Sequence, residues 1–209
     1  MTRVKICGIT EPGAAEVASE AGASALGLMF YEPSPRAVDI RAARDVIAAT
    51  DPLVTMVGVF VDAQREWVEQ VLEHCPLDCL QFHGHEDRAF CESFGRPYLR
   101  VISMRPEVDV AQEVAAHPRA RGYLLDAWRA DAPGGTGETF SWDRIPPLAS
   151  PWILAGGLTA ANVGDAIRRT RPGAVDVSGG VEEQRGVKSP QRIREFMDAV
   201  KRADSGEEA

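Results

Sequence analysis

Two hydrophobic patterns alternate along the chain. Short apolar runs recur at 4–9 (VKICGI), 25–31 (ALGLMFY), 53–61 (LVTMVGVFV) and 79–84 (CLQFHG). They continue at 98–104 (YLRVISM), 122–127 (GYLLDA), 151–156 (PWILAG) and 174–178 (AVDVS). These lengths and residue types predict eight strands. Between them, near 12–21, 39–49, 63–75, 87–94, 109–116, 159–170 and 189–202, the spacing is that of amphipathic helices. In the third helix Trp67, Val68, Val71, Leu72 and Cys75 share one face, with Arg65, Glu66, Glu69 and Glu73 largely elsewhere. Asp39, Thr159 and Ser189 read as N-caps, and Pro12 and Pro190 suit first helical turns. The stretch 128–148 reads as loop, with at most a short helix near Trp142.

A strand followed by a helix, repeated eight times in 209 residues, implies a parallel sheet and leaves little room for a second domain. The expected architecture is α/β: a (β/α)8 TIM barrel forming one domain over 1–203, followed by a flexible tail over 204–209. An open doubly wound sheet is the alternative.

Composition narrows the partners. The chain is 44% hydrophobic and 26% charged, an ordinary globular balance, with a net charge of −8. Such acidity argues against nucleic acid and anionic membrane as partners. Charge or glycine interrupts every apolar run, so no membrane span is expected, and the N-terminus lacks the pattern of a secretory signal. The four cysteines, Cys7, Cys75, Cys79 and Cys91, form no Cys-x-x-Cys pair and read as free thiols. A cytoplasmic location is expected.

In a barrel of this kind the chemistry lies at the C-terminal ends of the strands. Strand residues alternate faces. If Val4 and Ile6 face the helices, Lys5 and Cys7 face the barrel interior. By the same rule Leu124 and Asp126 share one face of the sixth strand, and Cys79, Gln81 and His83 one face of the fourth. The mouth is then expected to hold Cys7, His83 and Asp126, with Lys5 deeper, where its charge favours the thiolate. Each residue alone has a plain structural role: a small buried hydrophobe, a loop hydrogen bond, a turn carboxylate. Together they place a base and an acid across one cavity, the arrangement that moves a proton within a substrate.

Two glycine segments end the last strands, LAGGLTAANV (154–163) and DVSGGVE (176–182). Gly156, Gly157, Ser178, Gly179 and Gly180 are therefore candidate phosphate ligands, through backbone N–H groups and a helix N-terminus. PGGTGETFSW (133–142) reads as a mobile loop over the mouth. In YEPSPR (31–36), Arg36 is the only cation; it is either a carboxylate clamp or a solvated surface residue.

In this order, VKICGIT, SPR (34–36), GVFV (58–61), QFHGHE (81–86), LLDA (124–127), GGTGETFSW (134–142) and the two glycine segments resemble the phosphoribosylanthranilate isomerase family. The resemblance implies a (β/α)8 barrel that converts N-(5-phosphoribosyl)anthranilate to 1-(2-carboxyphenylamino)-1-deoxyribulose 5-phosphate. It implies an Amadori rearrangement in tryptophan biosynthesis, with neither metal nor organic cofactor and a phosphorylated aminosugar as the bound small molecule. It further implies Cys7 as general base and Asp126 as general acid. Arg36 would hold the anthranilate carboxylate and the glycine segments the phosphate. Monomer and homodimer both fit. The chain departs from the family at Ser178-Gly179-Gly180, where Ser-Ser-Gly is common, and at GVKSP (186–190), where Gly-x-Lys-Asp is common.

Three other readings compete. A different sugar-phosphate epimerase or aminoaldose isomerase would share the fold and the phosphate site, but close relatives of that kind use carboxylate pairs. A zinc module could draw on Cys75, Cys79, His83 and His85. However, Cys79 and His83 at opposite ends of one strand lie roughly 13 Å apart, too far to share a metal. A thiol-redox role for Cys7 lacks a nearby resolving cysteine.

Overall fold

A computed structural model of the chain describes residues 1–127 and 139–206. The eight apolar runs become β1 (Arg3–Cys7), β2 (Ala25–Met29), β3 (Thr55–Phe60), β4 (Cys79–Phe82), β5 (Tyr98–Ser103), β6 (Gly122–Asp126), β7 (Trp152–Leu154) and β8 (Ala174–Val177). All are parallel to their neighbours, and β8 pairs back onto β1, so the sheet closes. Closure excludes the open doubly wound alternative. It also removes both sheet edges, which would otherwise expose unpaired N–H and C=O groups.

The helices follow in the expected order: α1 (Pro12–Ala21), α2 (Ile40–Ala49), α3 (Arg65–His74), α4 (Arg88–Glu92), α5 (Val110–Ala116), α6 (Val163–Thr170) and α7 (Pro190–Ser205). Asp39 caps α2 by accepting from the Ala42 N–H at 2.7 Å, and Ser189 caps α7 through the Arg192 N–H at 3.4 Å. Pro12 and Pro190 occupy first turns, where their missing N–H costs nothing. Near Trp142 the chain makes one 3-10 turn, Trp142–Arg144.

Most of the apolar core lies between the sheet and the helices. Outward-facing Val4, Ile6, Leu26 and Leu28 pack there with Ala15, Ala18, Ala43 and Val46. On α3, Val68 and Val71 are buried in this layer, and Trp67 and Leu72 pack against it, as the helical spacing requires. A smaller cluster of Val101, Leu124 and Ala155 fills part of the barrel interior.

Three details differ from the sequence expectation. Thr159 is not the cap of α6. Its N–H donates to the Asn162 side chain at 2.8 Å, and this loop delays the helix until Val163. The last helix runs on to Ser205 and ends at left-handed Gly206; Asp204 accepts from the Thr2 hydroxyl at 2.7 Å, tying the two ends together. Finally, a small antiparallel hairpin follows β8, made of β9 (Glu182–Gln184) and β10 (Val187–Lys188). Its strands are too short and too polar to announce themselves as an alternating pattern. Of the glycine loop expected over the mouth, 133–142, residues 133–138 lie outside the described residues.

Candidate active site

The strand alternation delivers side chains from β1, β4, β6 and β8 to one cavity of about 230 Å³. Its lining includes Cys7, Arg36, His83, Asp126, and the glycine segments after β7 and β8. Lys5 is buried beneath it.

Cys7 pairs in register with Gly27 on β2. A Cβ at residue 27 would stand 2.9 Å from the Cys7 sulfur and 3.3 Å from Lys5 Cε, so the glycine clears the space the thiol occupies. Lys5 and Asp176 are cross-strand partners, and Lys5 Nζ donates to Asp176 Oδ1 at 2.7 Å. Burial alone would lower the Lys5 ammonium, but Asp176 and the Cys7 sulfur together more than offset this and keep the lysine charged. For Cys7 the balance differs from the expectation. Burial pushes the thiol up, and the pull of Lys5, shared with Asp176, does not overcome it.

Asp126 ends β6 inside the barrel, and His83 Nε2 lies 3.3 Å from its Oδ2. The histidine therefore orients the carboxylate across the cavity from β1.

The opposite wall is built from backbone. Gly156 and Gly157 adopt positive φ of 84° and 64°. A Cβ at Gly180 would overlap the Leu158 carbonyl oxygen, so the loops after β7 and β8 touch through glycine. Asn162 braces the first loop, donating from Nδ2 to the Gly157 carbonyl at 2.9 Å. Gly156, Gly157, Ser178, Gly179 and Gly180 all line the cavity on this side.

Arg36 is not a solvated surface residue: it is 7% exposed. Its Nε and Nη2 form a fork on Glu182, at 2.6 and 2.9 Å. Among the described residues Nη1 makes no hydrogen bond, and Arg36 is one of the residues that line the cavity. Lys188 Nζ also reaches Glu182, at 2.8 Å, and the Ser178 carbonyl, at 3.1 Å. Burial would raise the Glu182 carboxyl, but Arg36 and Lys188 outweigh it and hold it below its ordinary value. This buried Arg-Glu-Lys cluster locks the loop after β2 to the hairpin after β8.

Sequence reasoning missed Glu182, Lys188, Asp176, Asn162 and Gly27. Asp176 was within reach, because alternation along AVDVS puts it on the face of Ser178. Glu182 and Lys188 were not, since their burial depends on the unforeseen hairpin.

The four residues of the zinc reading are not gathered. The Cys75 sulfur sits 3.9 Å from the Ile40 carbonyl, His83 faces Asp126, and exposed His85 meets Asp62 at 3.1 Å. Among the described residues no group of three His, Cys, Asp or Glu side chains converges on a metal position. No helix there is long and apolar enough to cross a membrane.

The buried thiols give the fold an alkaline limit. Burial pushes Cys79 up to about 11 and Cys91 up to about 12. In the unfolded chain thiols ionise near about 8.5. Above that pH the unfolded state sheds protons that the folded state keeps, so stability falls as pH rises. The urea midpoint should be level up to about pH 8 and drop between about pH 9 and 11. A Cys91→Ala variant should show a shallower drop.

Comparison with known proteins gives a consistent picture. Residues 4–199 match the family model described as N-(5'phosphoribosyl)anthranilate (PRA) isomerase. The chain is 52% identical over 203 residues, covering 97% of each chain, to the N-(5'-phosphoribosyl)anthranilate isomerase of Pseudomonas fluorescens. Its fold resembles that of the phosphoribosyl anthranilate isomerase from Thermus thermophilus, with a TM-score of 0.85, 35% identity, and 96% and 98% of the two chains covered. It also resembles a phosphoribosyl anthranilate isomerase in complex with reduced 1-(o-carboxyphenylamino)-1-deoxyribulose 5-phosphate, with a TM-score of 0.81, 32% identity, and coverage of 96% and 99%.

Proposed function

We propose the following chemistry from one premise: the chain belongs to the N-(5'-phosphoribosyl)anthranilate isomerase family. The reaction is the Amadori rearrangement of N-(5'-phosphoribosyl)anthranilate to 1-(2-carboxyphenylamino)-1-deoxyribulose 5-phosphate, in tryptophan biosynthesis. The observation that carries this reading is the meeting of Cys7, Asp126, Arg36 and the two glycine loops on one cavity.

The phosphate docks on Gly156, Gly157 and the Ser178–Gly180 turn, which line the cavity and can offer it backbone N–H donors. The anthranilate carboxylate meets the free edge of Arg36, which Glu182 holds in place. Between these anchors the ribose lies with its reacting carbons near Cys7 and Asp126. Asp126 protonates the furanose ring oxygen, the C1'–O bond breaks, and the nitrogen lone pair forms a protonated Schiff base. The Cys7 thiolate takes the C2' proton, and the released electron pair makes the C1'–C2' double bond of an enolamine. That species tautomerises to the ketone. Lys5 keeps a positive charge beside the sulfur as it ionises. Four free, buried cysteines suit a reducing compartment, and we assign the cytoplasm.

The direct test is turnover of freshly generated phosphoribosylanthranilate, followed by loss of its fluorescence. The expected kcat falls in the usual enzymatic range of about 1–10³ s⁻¹. Folded protein that leaves fresh substrate unchanged beyond its spontaneous decay would overturn the assignment.

A further inference from the structure

Two buried charges take no part in the chemistry above. Glu86 lies in the loop after β4, and Arg100 lies on β5 with Phe82 as its register partner. Neither lines the cavity. Arg100 Nη1 donates to Glu86 Oε2 at 3.1 Å. As a stabilising device the pair is poor. Arg100 Nε has no hydrogen-bond partner, and replacing a buried ion pair by apolar residues of similar volume is often neutral or stabilising. What the pair grips is backbone. Glu86 Oε2 accepts from the Gly84 N–H at 2.9 Å, and Arg100 Nη2 donates to the Gly84 carbonyl at 2.9 Å. Glu86 Oε1 accepts from the Asp62 N–H at 2.8 Å, in the loop after β3. Asp62 stands in the left-handed region at φ 47°, and a Cβ on Gly84 would collide with it. Apolar side chains could fill this volume, but they could not hold both the N–H and the C=O of one residue. That residue follows His83. The His83 N–H donates to the Phe60 carbonyl at 2.9 Å, so the backbone is tied on both sides of the imidazole, whose Nε2 stands 3.3 Å from Asp126 Oδ2.

We propose that Glu86 is a positioning residue for Asp126, acting together with Arg100 through the Gly84 backbone and the His83 ring. The inference rests on the isomerase reading above, in which Asp126 protonates the furanose ring oxygen. That transfer needs the carboxyl within hydrogen-bond reach of the oxygen, and a displacement of about 1 Å can cost about 10²-fold in rate. The anchors for phosphate and carboxylate lie on other loops, after β7, β8 and β2. Loss of the grip on Gly84 should therefore lower kcat and leave ligand affinity as it was.

The test compares wild type with the paired variant Glu86→Leu/Arg100→Met, with His83→Asn, and with all three changes together. The paired variant leaves no buried charge unpaired, and the freed backbone groups of half-buried Gly84 and exposed Asp62 can turn to water. Its thermal midpoint should stay level or rise. Its kcat should nevertheless fall about 10- to 10²-fold. Its affinity for reduced 1-(o-carboxyphenylamino)-1-deoxyribulose 5-phosphate should not change. His83→Asn should lower kcat by a similar factor. The three changes together should cost no more than His83→Asn alone, because the pair acts through that ring. Glu86→Gln gives a second reading. Its single carbonyl oxygen cannot serve both sites of the carboxylate, so kcat should fall with analogue affinity intact, although the charge left on Arg100 lowers the melting point. Wild-type kcat in the paired variant or in Glu86→Gln overturns the proposal. So do an equal loss of analogue affinity, losses that multiply when His83→Asn is added, or a paired variant that melts far earlier than wild type. Failure of wild type to turn over phosphoribosylanthranilate would instead sink the isomerase reading itself.

Discussion

Replacing Cys7 with serine is expected to lower kcat by at least about 10²-fold and by as much as about 10⁴-fold, while a product analogue still binds. The substitution changes little but the acidity of the group. A hydroxyl fits the space left by Gly27, so the barrel interior should not rearrange. However, a serine hydroxyl beside Lys5 does not ionise in the pH range of the enzyme, and the C2' proton loses its acceptor. The wild-type pH profile should carry the same signature. In the proposed mechanism the active form is the thiolate, so kcat/KM should rise with pH as Cys7 gives up its proton. Burial pushes this thiol up, and the rising limb should therefore lie above the range of an ordinary cysteine. In Cys7→Ser that limb should vanish. Turnover close to wild type in the serine variant would remove Cys7 from the mechanism.

The contrast between Cys7 and its neighbours shows what a sequence can carry. Strand and helix periods are local properties, and eight repeats of one supersecondary unit leave few ways to close a sheet. The barrel was therefore legible, and so was the inward direction of Lys5, Cys7, Gln81, His83 and Asp126, because alternation follows from the backbone alone. What alternation does not give is who meets whom across the interior. Lys5 was expected to act on the thiol undivided, but the β1–β8 register gives its ammonium to Asp176. Arg36 left two readings open, and only the packing of the hairpin after β8, with Glu182 and Lys188 inside it, decided that this arginine is buried and fixed. The start of α6 was misplaced for a different, local reason. Asn162 uses its side chain to close the Gly157–Thr159 loop, a local contact that a capping preference at Thr159 does not reveal. For Arg36 the sequence offers no sign of its partner, because Glu182 lies 146 positions away in the chain.

Asp126→Asn should cost about as much as the loss of Cys7, about 10²- to 10⁴-fold in kcat, but by stopping a different step. The amide keeps the size of the carboxyl and can still meet His83, which stands 3.3 Å from the native carboxylate. It has no acidic proton to give the furanose ring oxygen, so the C1'–O bond breaks without assistance. Substrate deuterated at C2' separates the two defects. In Cys7→Ser, removal of the C2' hydrogen becomes the slow step, and deuterium should slow turnover further. In Asp126→Asn, ring opening limits the rate before any C2' bond breaks, and deuterium should have little effect. The double variant should lose far less than the product of the single losses, because in the proposed mechanism the two groups serve one sequence of steps and losing either stalls it. An asparagine variant with turnover near wild type, or one with a full isotope effect, would show that Asp126 is not the acid that opens the ring.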